Sequence, residues 1–434
     1  MDRSGWLQSL RTHGDRWFGA ALAAYGVAMT VRQANHIAKR PPGQLEDLDR
    51  GLQAGDFETF YRCALRMREG RDLYFAHTAG GAEPPSKQAP FFELLLQPLV
   101  GFGAPATAVV FGLLTIAALL HTLHLGRQLL AHHPEPLRRH APLLATAVLL
   151  PTLHLNFLYF QTGVLLVWLF LLGLRALPRR PLLAGAIWSL GVSIKLIPIV
   201  LLCWALWRRQ WRCLLGGALG LLLANGAVLA WLGPSHGLAQ YRGFVAMLRA
   251  DQAFGEYNER YQGLPPLVLA TVTPHYASQV KSTAQQRDWQ GVRNFLGDTP
   301  LAAHGGTLVL VAVGLVLVAV AWTCRRAPLT PLRAVQETSL VAIAMLLVSP
   351  HTWRHYYWWL WPTALLALQD VRRRRWANVA VVTLVIGELL PHRGLIGSLS
   401  LWWQVFHGPT LGALVVFAVL ARHLARDDGA GPGT

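Results

Sequence analysis

Charge is what this chain has least of. Only 14% of its 434 residues are Asp, Glu, Lys or Arg, while 53% are hydrophobic. A soluble domain carries roughly a quarter charged residues, so a water-facing globular surface is excluded for most of the chain. Cysteine is also sparse. Cys63, Cys203, Cys213 and Cys324 show no CxxC spacing, and three lie in or beside apolar runs. They read as small hydrophobes, not as a disulfide framework or a zinc site. No Walker loop or dinucleotide fingerprint occurs, so nothing points to nucleoside triphosphates. The short alternating strands of a β-barrel are missing, and internal repeats are not seen. No cleavable signal peptide is evident: residues 1–17 are polar and basic, and the first apolar run reads as a signal anchor.

What is there is a series of long apolar runs. About 20 apolar residues span the hydrocarbon of a bilayer as helix, and helix is the default because lipid offers backbone groups no partners. Candidate spans run 17–36, 104–126, 141–158, 161–177, 182–206, 213–232, 305–323, 335–349, 357–369, 376–390 and 409–423. The last two before the end are short, and residues 353–357 are positioned to extend the first of them. The expected fold class is an all-α polytopic membrane protein with about 10–12 transmembrane helices. It reads as one domain over 1–434, with a first external loop region at 37–103, a large external loop at 233–304 and a disordered cytoplasmic tail at 424–434.

The net charge is +17, nearly all of it from arginine. Such a balance often marks a nucleic-acid partner. Here the arginines gather at the ends of apolar runs, the positive-inside pattern, and no nucleic acid is expected. Arg3, Arg11 and Arg16 put the N-terminus in the cytoplasm, and Arg127, Arg138 and Arg139 mark a cytoplasmic loop. So do Arg179 with Arg180, Arg208 with Arg209 and Arg212, Arg325 with Arg326 and Arg333, Arg372 through Arg375, and Arg422 with Arg426. The run 182–206 has Arg at both ends, with Lys195 and Pro198 at its centre. Proline breaks a helix, and a lysine at membrane depth must face protein or water. Two readings stand: two half-helices that enter and leave on the cytoplasmic side, or one kinked span. On the first, the remaining spans alternate. Regions 37–103, 156–163, 233–304 and 349–357 then fall outside, and they hold the polar residues with chemical potential. The expected setting is the plasma (inner) membrane of a bacterium, with the site on the external face.

Region 37–103 reads as an amphipathic helix on the membrane surface, with Asp56, Glu58, Tyr61 and Tyr74. Asp56 and Glu58 are too close to share a helical face, so one carboxylate can enter a cavity while the other faces water. A carboxylate there suits proton removal from an acceptor hydroxyl; the alternative is a helix cap. The turn Ser349-Pro350-His351-Thr352-Trp353-Arg354-His355-Tyr356-Tyr357 is the densest in polar and aromatic groups. His351 and His355 share a helix face, but a zinc site lacks its third ligand and acid. A proton acceptor, or a phosphate-binding pair with Arg354, fits better; the alternative is an aromatic belt that also takes in Trp358, Trp359 and Trp361. Lys195, flanked by Ile194, Leu196 and Ile197, asks for an anionic partner such as a phosphate, with snorkelling as the alternative. Asn156 and Gln161 set amides beside aromatics, which suits sugar hydroxyls and equally suits helix capping. Tyr257, Asn258, Glu259, Arg260, Tyr261, Gln262 and Gly263 lie in a loop long enough to close over a substrate.

Three stretches make the pattern familiar. They are 56–74, with Asp, then Tyr, then Gly-x-x-Leu-Tyr; 156–211, with Gln161, Gly185, Lys195, Pro198 and Arg-Arg-Gln-Trp-Arg; and Ser-Pro-x-x-Trp-x-His at 349–355. In these the chain resembles glycosyltransferase family 87, mannosyltransferase-like membrane enzymes of the GT-C class, over about residues 17–423. It departs where the family's Tyr-Pro-Pro is replaced by Gln88-Ala89-Pro90-Phe91, and where an Asn-Gln-Ser stretch survives only loosely as Glu259-Arg260-Tyr261-Gln262-Gly263.

The resemblance implies Asp56 as catalytic acid-base residue, His355 as an assisting histidine and Lys195 at the donor phosphate. The implied reaction is inverting transfer of a hexose, most simply mannose, from a polyprenyl-phosphate donor to a glycolipid or glycan acceptor, in contact with membrane lipids. No cofactor is required, though Asp56 and Glu58 leave room for a divalent metal. The competing readings are a flippase or transporter of lipid-linked sugars and a surface-polysaccharide polymerase or ligase.

Overall fold

The computed structural model describes residues 3–41, 43–48, 55–74, 77–78, 81–82, 87–130, 140–251, 261–272, 300–325, 328–371, 373–397 and 399–426. It is helical almost throughout, with one short ladder pairing His77–Thr78 with Gly81–Ala82. The chain divides into two compact units, Met1–Leu143 with Leu153–Asp251, and Leu144–Thr152 with Gln252–Thr434.

The first unit begins with α1 (Arg3–Ala38), α2 (Asp56–Arg68), α3 (Pro90–Val100) and α4 (Ala104–Leu129). The chain then runs through α5 (Ala141–Val148) and α6 (Leu150–Leu158). It continues with α7 (Gly163–Ala176), α8 (Pro181–Ile194), α9 (Ile199–Trp207), α10 (Trp211–Leu232) and α11 (Pro234–Asp251). Helices in lipid gain no hydrophobic drive from pairing, so small residues that let backbones touch decide who packs on whom. A Cβ on Gly185 of α8 would strike the backbone of Cys213 in α10, and one on Gly216 of α10 the backbone of Leu182. This contact seats α8, whose C-terminal end carries Lys195.

α2, expected as an amphipathic surface helix, packs most of its side chains into protein. Phe57, Phe60, Tyr61, Cys63 and Met67 are buried, and so are Arg62 and Arg66. The Arg62 guanidinium donates to the carbonyls of Leu45 and Asp47 at 3.0 and 3.1 Å. Arg62 of α2 thus binds protein backbone from within the packed interior.

The second unit contains α12 (Leu264–Val272), α13 (Gly305–Thr323), α14 (Pro331–Val348), α15 (Trp361–Asp370), α16 (Arg375–Leu384), α17 (Arg393–Ile396), α18 (Leu399–Val405) and α19 (Gly408–Arg426). A 3₁₀ segment, Arg354–Leu360, leads into α15, and a π turn, Val385–Leu389, extends α16. α14 is buried over nearly its whole length. Arg333 in its first turn, expected in a charge cluster that marks a cytoplasmic loop, is buried and holds other helices. It donates to Glu337 at 2.8 Å, to the Thr323 carbonyl at 3.0 Å and to the Leu424 carbonyl at 2.9 Å. One buried cation thereby satisfies carbonyls at the ends of α13 and α19, which no intrahelical donor reaches.

Five helices among the described residues are long and apolar enough to cross a membrane: α4, α10, α13, α14 and α19. α5 with α6 makes a sixth, bent by 68°. The all-α polytopic membrane protein is therefore what the sequence builds, but several expected spans are shorter or broken. Run 141–158 is not one rod, because Pro151, at the second position of α6, lacks an N–H and its ring excludes the preceding turn's carbonyl. Run 182–206 breaks at Lys195 and Pro198, the feature common to both readings of it. Run 161–177 supplies the 14-residue α7. Loop 233–304 is largely helical where described, with α11, α12 and the 3₁₀ turn Pro300–His304. Residues 424–426, expected in a disordered tail, complete α19, whose end Arg333 holds. Residues 427–434, like Arg138, Arg139, Arg326 and Arg372, lie outside the described residues.

Candidate active site

α2 starts at a glycine N-cap, and its first turn carries both acids. Glu58, at the third helical position, accepts from the Gly55 N–H at 2.8 Å. Its two oxygens also take the Arg40 guanidinium at 2.9 and 2.7 Å. It is buried, and it starts the helix as half of a capping box. That leaves Asp56, whose side chain keeps accessible surface while protein surrounds much of it. Burial pushes its carboxyl above the ordinary carboxylate range; the hydrogen bond from Gln161 and the charges of Lys195 and Lys87 pull it back down.

Gln161 reaches Asp56 because the turn before α7 is over-determined. Its backbone N–H donates to the Asn156 carbonyl at 2.9 Å. Phe160 adopts φ +48°, a region that non-glycine residues rarely occupy. Its buried ring compensates by packing on Phe57 and Phe111, with centroids 5.2 and 5.9 Å away. The buried Asn156 amide fills the space where a Cβ on Gly163 would stand. The Gln161 amide then donates to Asp56 Oδ2 at 2.5 Å. The ring contact between Phe57 and Phe160 joins the neighbours of these two residues and fixes their approach.

Lys195 is extended (φ −150°, ψ 131°) and ends α8, its N–H still bonded to the Gly191 carbonyl at 2.9 Å. Pro198 bars the helix from continuing. The side chain is buried, 7% exposed, and acts electrostatically on Asp56. The first unit therefore gathers an acid, an amide and a buried cation from 56, 161 and 195. Tyr61 and Tyr74 go elsewhere. The Tyr61 hydroxyl donates to Glu46 at 3.3 Å and to the Val100 carbonyl at 3.4 Å. The Tyr74 hydroxyl donates to the Gln88 carbonyl at 2.9 Å, and its ring sits in a core with Met67, Phe91 and Phe244.

In the second unit, Tyr261 and Gln262 lie along the turn 349–357. Tyr261 pairs with Trp353 in an isolated bridge, and the Gln262 N–H donates to the Thr352 carbonyl at 2.6 Å. The Tyr357 hydroxyl donates to the Gln262 carbonyl at 2.8 Å. His351 meets the Tyr261 ring edge-on at 4.7 Å. The buried His355 lies between Trp353 (6.2 Å, stacked) and Tyr356 (4.3 Å, edge-on). Arg354 donates to the Glu388 carbonyl at 3.4 Å. Tyr357, Trp358, Trp359 and Trp361 are wholly buried, so these four form packed core and not a belt at the lipid interface. Tyr257, Asn258, Glu259 and Arg260 lie outside the described residues. No group of three or more metal-ligating side chains comes together among the described residues.

Sequence comparison supplies the class. The model of glycosyltransferase family 87 matches residues 89–350, more than half of the chain. The chain belongs to glycosyltransferase family 87. Two curated relatives are each named polyprenol-phosphate-mannose-dependent alpha-(1-2)-phosphatidylinositol mannoside mannosyltransferase. The one from Mycobacterium tuberculosis is 27% identical, covering 81% of this chain and 80% of its own. The one from Mycolicibacterium smegmatis is 27% identical, covering 80% and 81%. Among solved structures, ArnT from Cupriavidus metallidurans bound to undecaprenyl phosphate aligns over 98% of this chain and 78% of its own. Its identity is 12% and its TM-score 0.37.

Within this family 87 enzyme, Gln161 and Lys195 fall inside the matched region, and Asp56 and His355 flank it. Two charged residues near these groups escape the sequence reading. Glu388 is a buried acid near Arg354 and Thr152, inside an apolar run. The rule for intramembrane charges that singles out Lys195 also flags Glu388. Lys87 acts on both Asp56 and Lys195. It sits in a polar connection where no periodicity or spacing marks it.

Proposed function

We propose that this family 87 chain is an inverting hexosyltransferase that moves mannose from a polyprenyl-phosphate donor to a glycolipid or glycan acceptor on the external face of the plasma membrane. The grouping of Asp56, Gln161 and Lys195 carries the proposal, and the substrates named for the two mycobacterial relatives support the choice of donor.

Asp56 is the base. Gln161 holds Oδ2 and leaves Oδ1 to receive the acceptor's proton. The acceptor oxygen bonds to the anomeric carbon as the bond from that carbon to the phosphate oxygen breaks, a single displacement that inverts the centre. The proton ends on Asp56, and the electron pair leaves with the lipid phosphate, which goes from diester monoanion to monoester dianion. Lys195 stabilises the charge that develops there, an effect that is strong where water is excluded.

The test is transfer from radiolabelled polyprenyl-phosphate mannose into a membrane glycolipid extract by purified protein in liposomes. Asp56→Asn is expected to lose about 10²–10⁴ in rate, the usual worth of a general base, and Lys195→Ala to lose turnover as well. Label crossing the bilayer as intact donor, with none transferred, would overturn the reading in favour of a flippase.

A further inference from the structure

We propose that the run 182–206 is a re-entrant hairpin whose two ends lie side by side and form one cationic surface for the headgroups of anionic phospholipids.

The packing of α8 on α10 carries the topology. A Cβ on Gly185 would strike Cys213, and one on Gly216 would strike Leu182, so the first turns of the two helices meet. Farther along, Gly220 lies against Ala186 and Ser189. Partners advance in step, and the helices therefore run parallel. A single kinked span would carry the chain across and leave α10 antiparallel to α8. Instead α9 returns: Pro198 lies against Gly191, and Leu202 against Gly217. Lys195 sits at the tip, about 20 Å from the start of α8 at the helical rise per residue.

The hairpin brings together two turns that the sequence separates. One holds Arg179 and Arg180 before α8, the other Arg209 and Arg212 around the start of α10, and all four are exposed. Among the described residues none of the four forms an ion pair. No Asp or Glu occurs from residue 136 to residue 250. Trp207 and Trp211 flank the second turn, 50% and 63% exposed. Arginine beside exposed tryptophan suits a membrane interface, where the indole enters the headgroup layer and the guanidinium takes phosphate oxygens. A soluble acidic partner would leave the indoles in water, and a neutral leaflet would leave the charges uncompensated.

Arg209 adopts φ +53°. Its N–H donates to the Leu206 carbonyl at 3.0 Å, and the Gln210 N–H to the Ala205 carbonyl at 2.8 Å. This is a Schellman ending, whose left-handed position glycine normally fills. An arginine is held there at a cost in backbone strain, on the outside of the turn.

Two measurements on the full chain test the proposal. Arg180→Cys and Arg209→Cys, each in a Cys203→Ser background, are treated with a membrane-impermeant maleimide in right-side-out and inverted vesicles. Both should label from the same side, and labelling from opposite sides would overturn the hairpin. Radiolabelled phosphatidylglycerol and phosphatidylcholine are then titrated onto purified protein in neutral detergent. Wild type should prefer phosphatidylglycerol. Each arginine near an anionic leaflet is worth about fivefold, so Arg179→Gln with Arg180→Gln, or Arg209→Gln with Arg212→Gln, should weaken phosphatidylglycerol by about 25-fold and leave phosphatidylcholine unchanged. Arg209→Gly separates charge from fold: it should raise the thermal midpoint by relieving the left-handed turn, yet weaken phosphatidylglycerol by about fivefold. Equal binding of the two lipids by wild type, or an undiminished preference in both double variants, would overturn the surface. Displacement of phosphatidylglycerol by polyprenyl monophosphate would overturn it too, by placing the bound lipid in the transfer site.

Discussion

The amide of Gln161 donates to Oδ2 of Asp56 at 2.5 Å, joining residues 105 positions apart. A hydrogen bond to the ionised form of a carboxyl stabilises that form and lowers its pKa. Gln161→Ala removes this and leaves burial less opposed, so the Asp56 carboxyl rises further. The acid limb of the kcat/KM–pH profile should move to higher pH, with a loss of about tenfold at neutral pH, where a modest share of the base's contribution is at stake. An unshifted limb with a uniformly lower rate would assign Gln161 to substrate contact instead.

Asp56 also makes a stability prediction of definite sign. Its folded carboxyl sits above the ordinary value of 3.8. Between that value and the raised one, the folded chain holds more protons than the unfolded chain, so stability falls as pH rises through this window. Asp56→Asn removes a charge that its surroundings disfavour. The variant should melt slightly higher than wild type above the window, and the difference should vanish as pH drops below 3.8. Thermal scans in detergent at several pH values check this. A variant that is both inactive and more stable would separate the chemical role of Asp56 from any role in folding.

The sequence makes the class of fold legible because apolar runs and their arginine flanks are long-range patterns that survive without coordinates. The break at Lys195 and Pro198 is legible for the same reason: each residue violates the local rule. Other features depend on partners far along the chain. Asp56 and Glu58 look alike in sequence, and it takes Arg40 folding back onto Glu58 and Gln161 reaching Asp56 to separate the cap from the candidate base. Tyr61 and Tyr74 match a family pattern and turn out to pack, since a conserved-looking aromatic serves a core as readily as a ligand. Pro151 was available as a helix breaker, but the uniform hydrophobicity around it conceals the bend. Tyr261 and Gln262 carry little signal of their own, and their pairing with the turn 349–357 appears only in three dimensions.

Arg333 and Glu337 form an ion pair that is 6% and 0% exposed. Breaking such a pair from one side strands a buried charge. Glu337→Ala is expected to destabilise by about 3–5 kcal/mol, read as a lower thermal midpoint in detergent. Replacing both, Arg333→Met with Glu337→Leu, should recover much of that. It should not recover all, because the carbonyls of Thr323 and Leu424 lose their donor, at about 1 kcal/mol each. A double variant no better than Glu337→Ala alone would mean that the carbonyl contacts, not the ion pair, dominate.

His355 tests whether the aromatic turn of the second unit takes part in chemistry. Its ring is buried between Trp353 and Tyr356, so a change there disturbs packing as well as any proton transfer. His355→Ala alone is therefore ambiguous, and His355→Phe, which keeps the ring and removes both nitrogens, is the informative partner. A histidine that handles a proton or a phosphate predicts that both variants lose about 10²-fold in kcat/KM, the lower end for a general acid or base. His355→Phe should nevertheless hold a thermal midpoint near wild type. A packing residue predicts the reverse order: His355→Ala loses stability and activity together, while His355→Phe keeps turnover. Retained turnover in His355→Phe would confine the turn to packing, in keeping with the buried Tyr357, Trp358, Trp359 and Trp361 that follow it. The proton transfer would then belong to Asp56 alone.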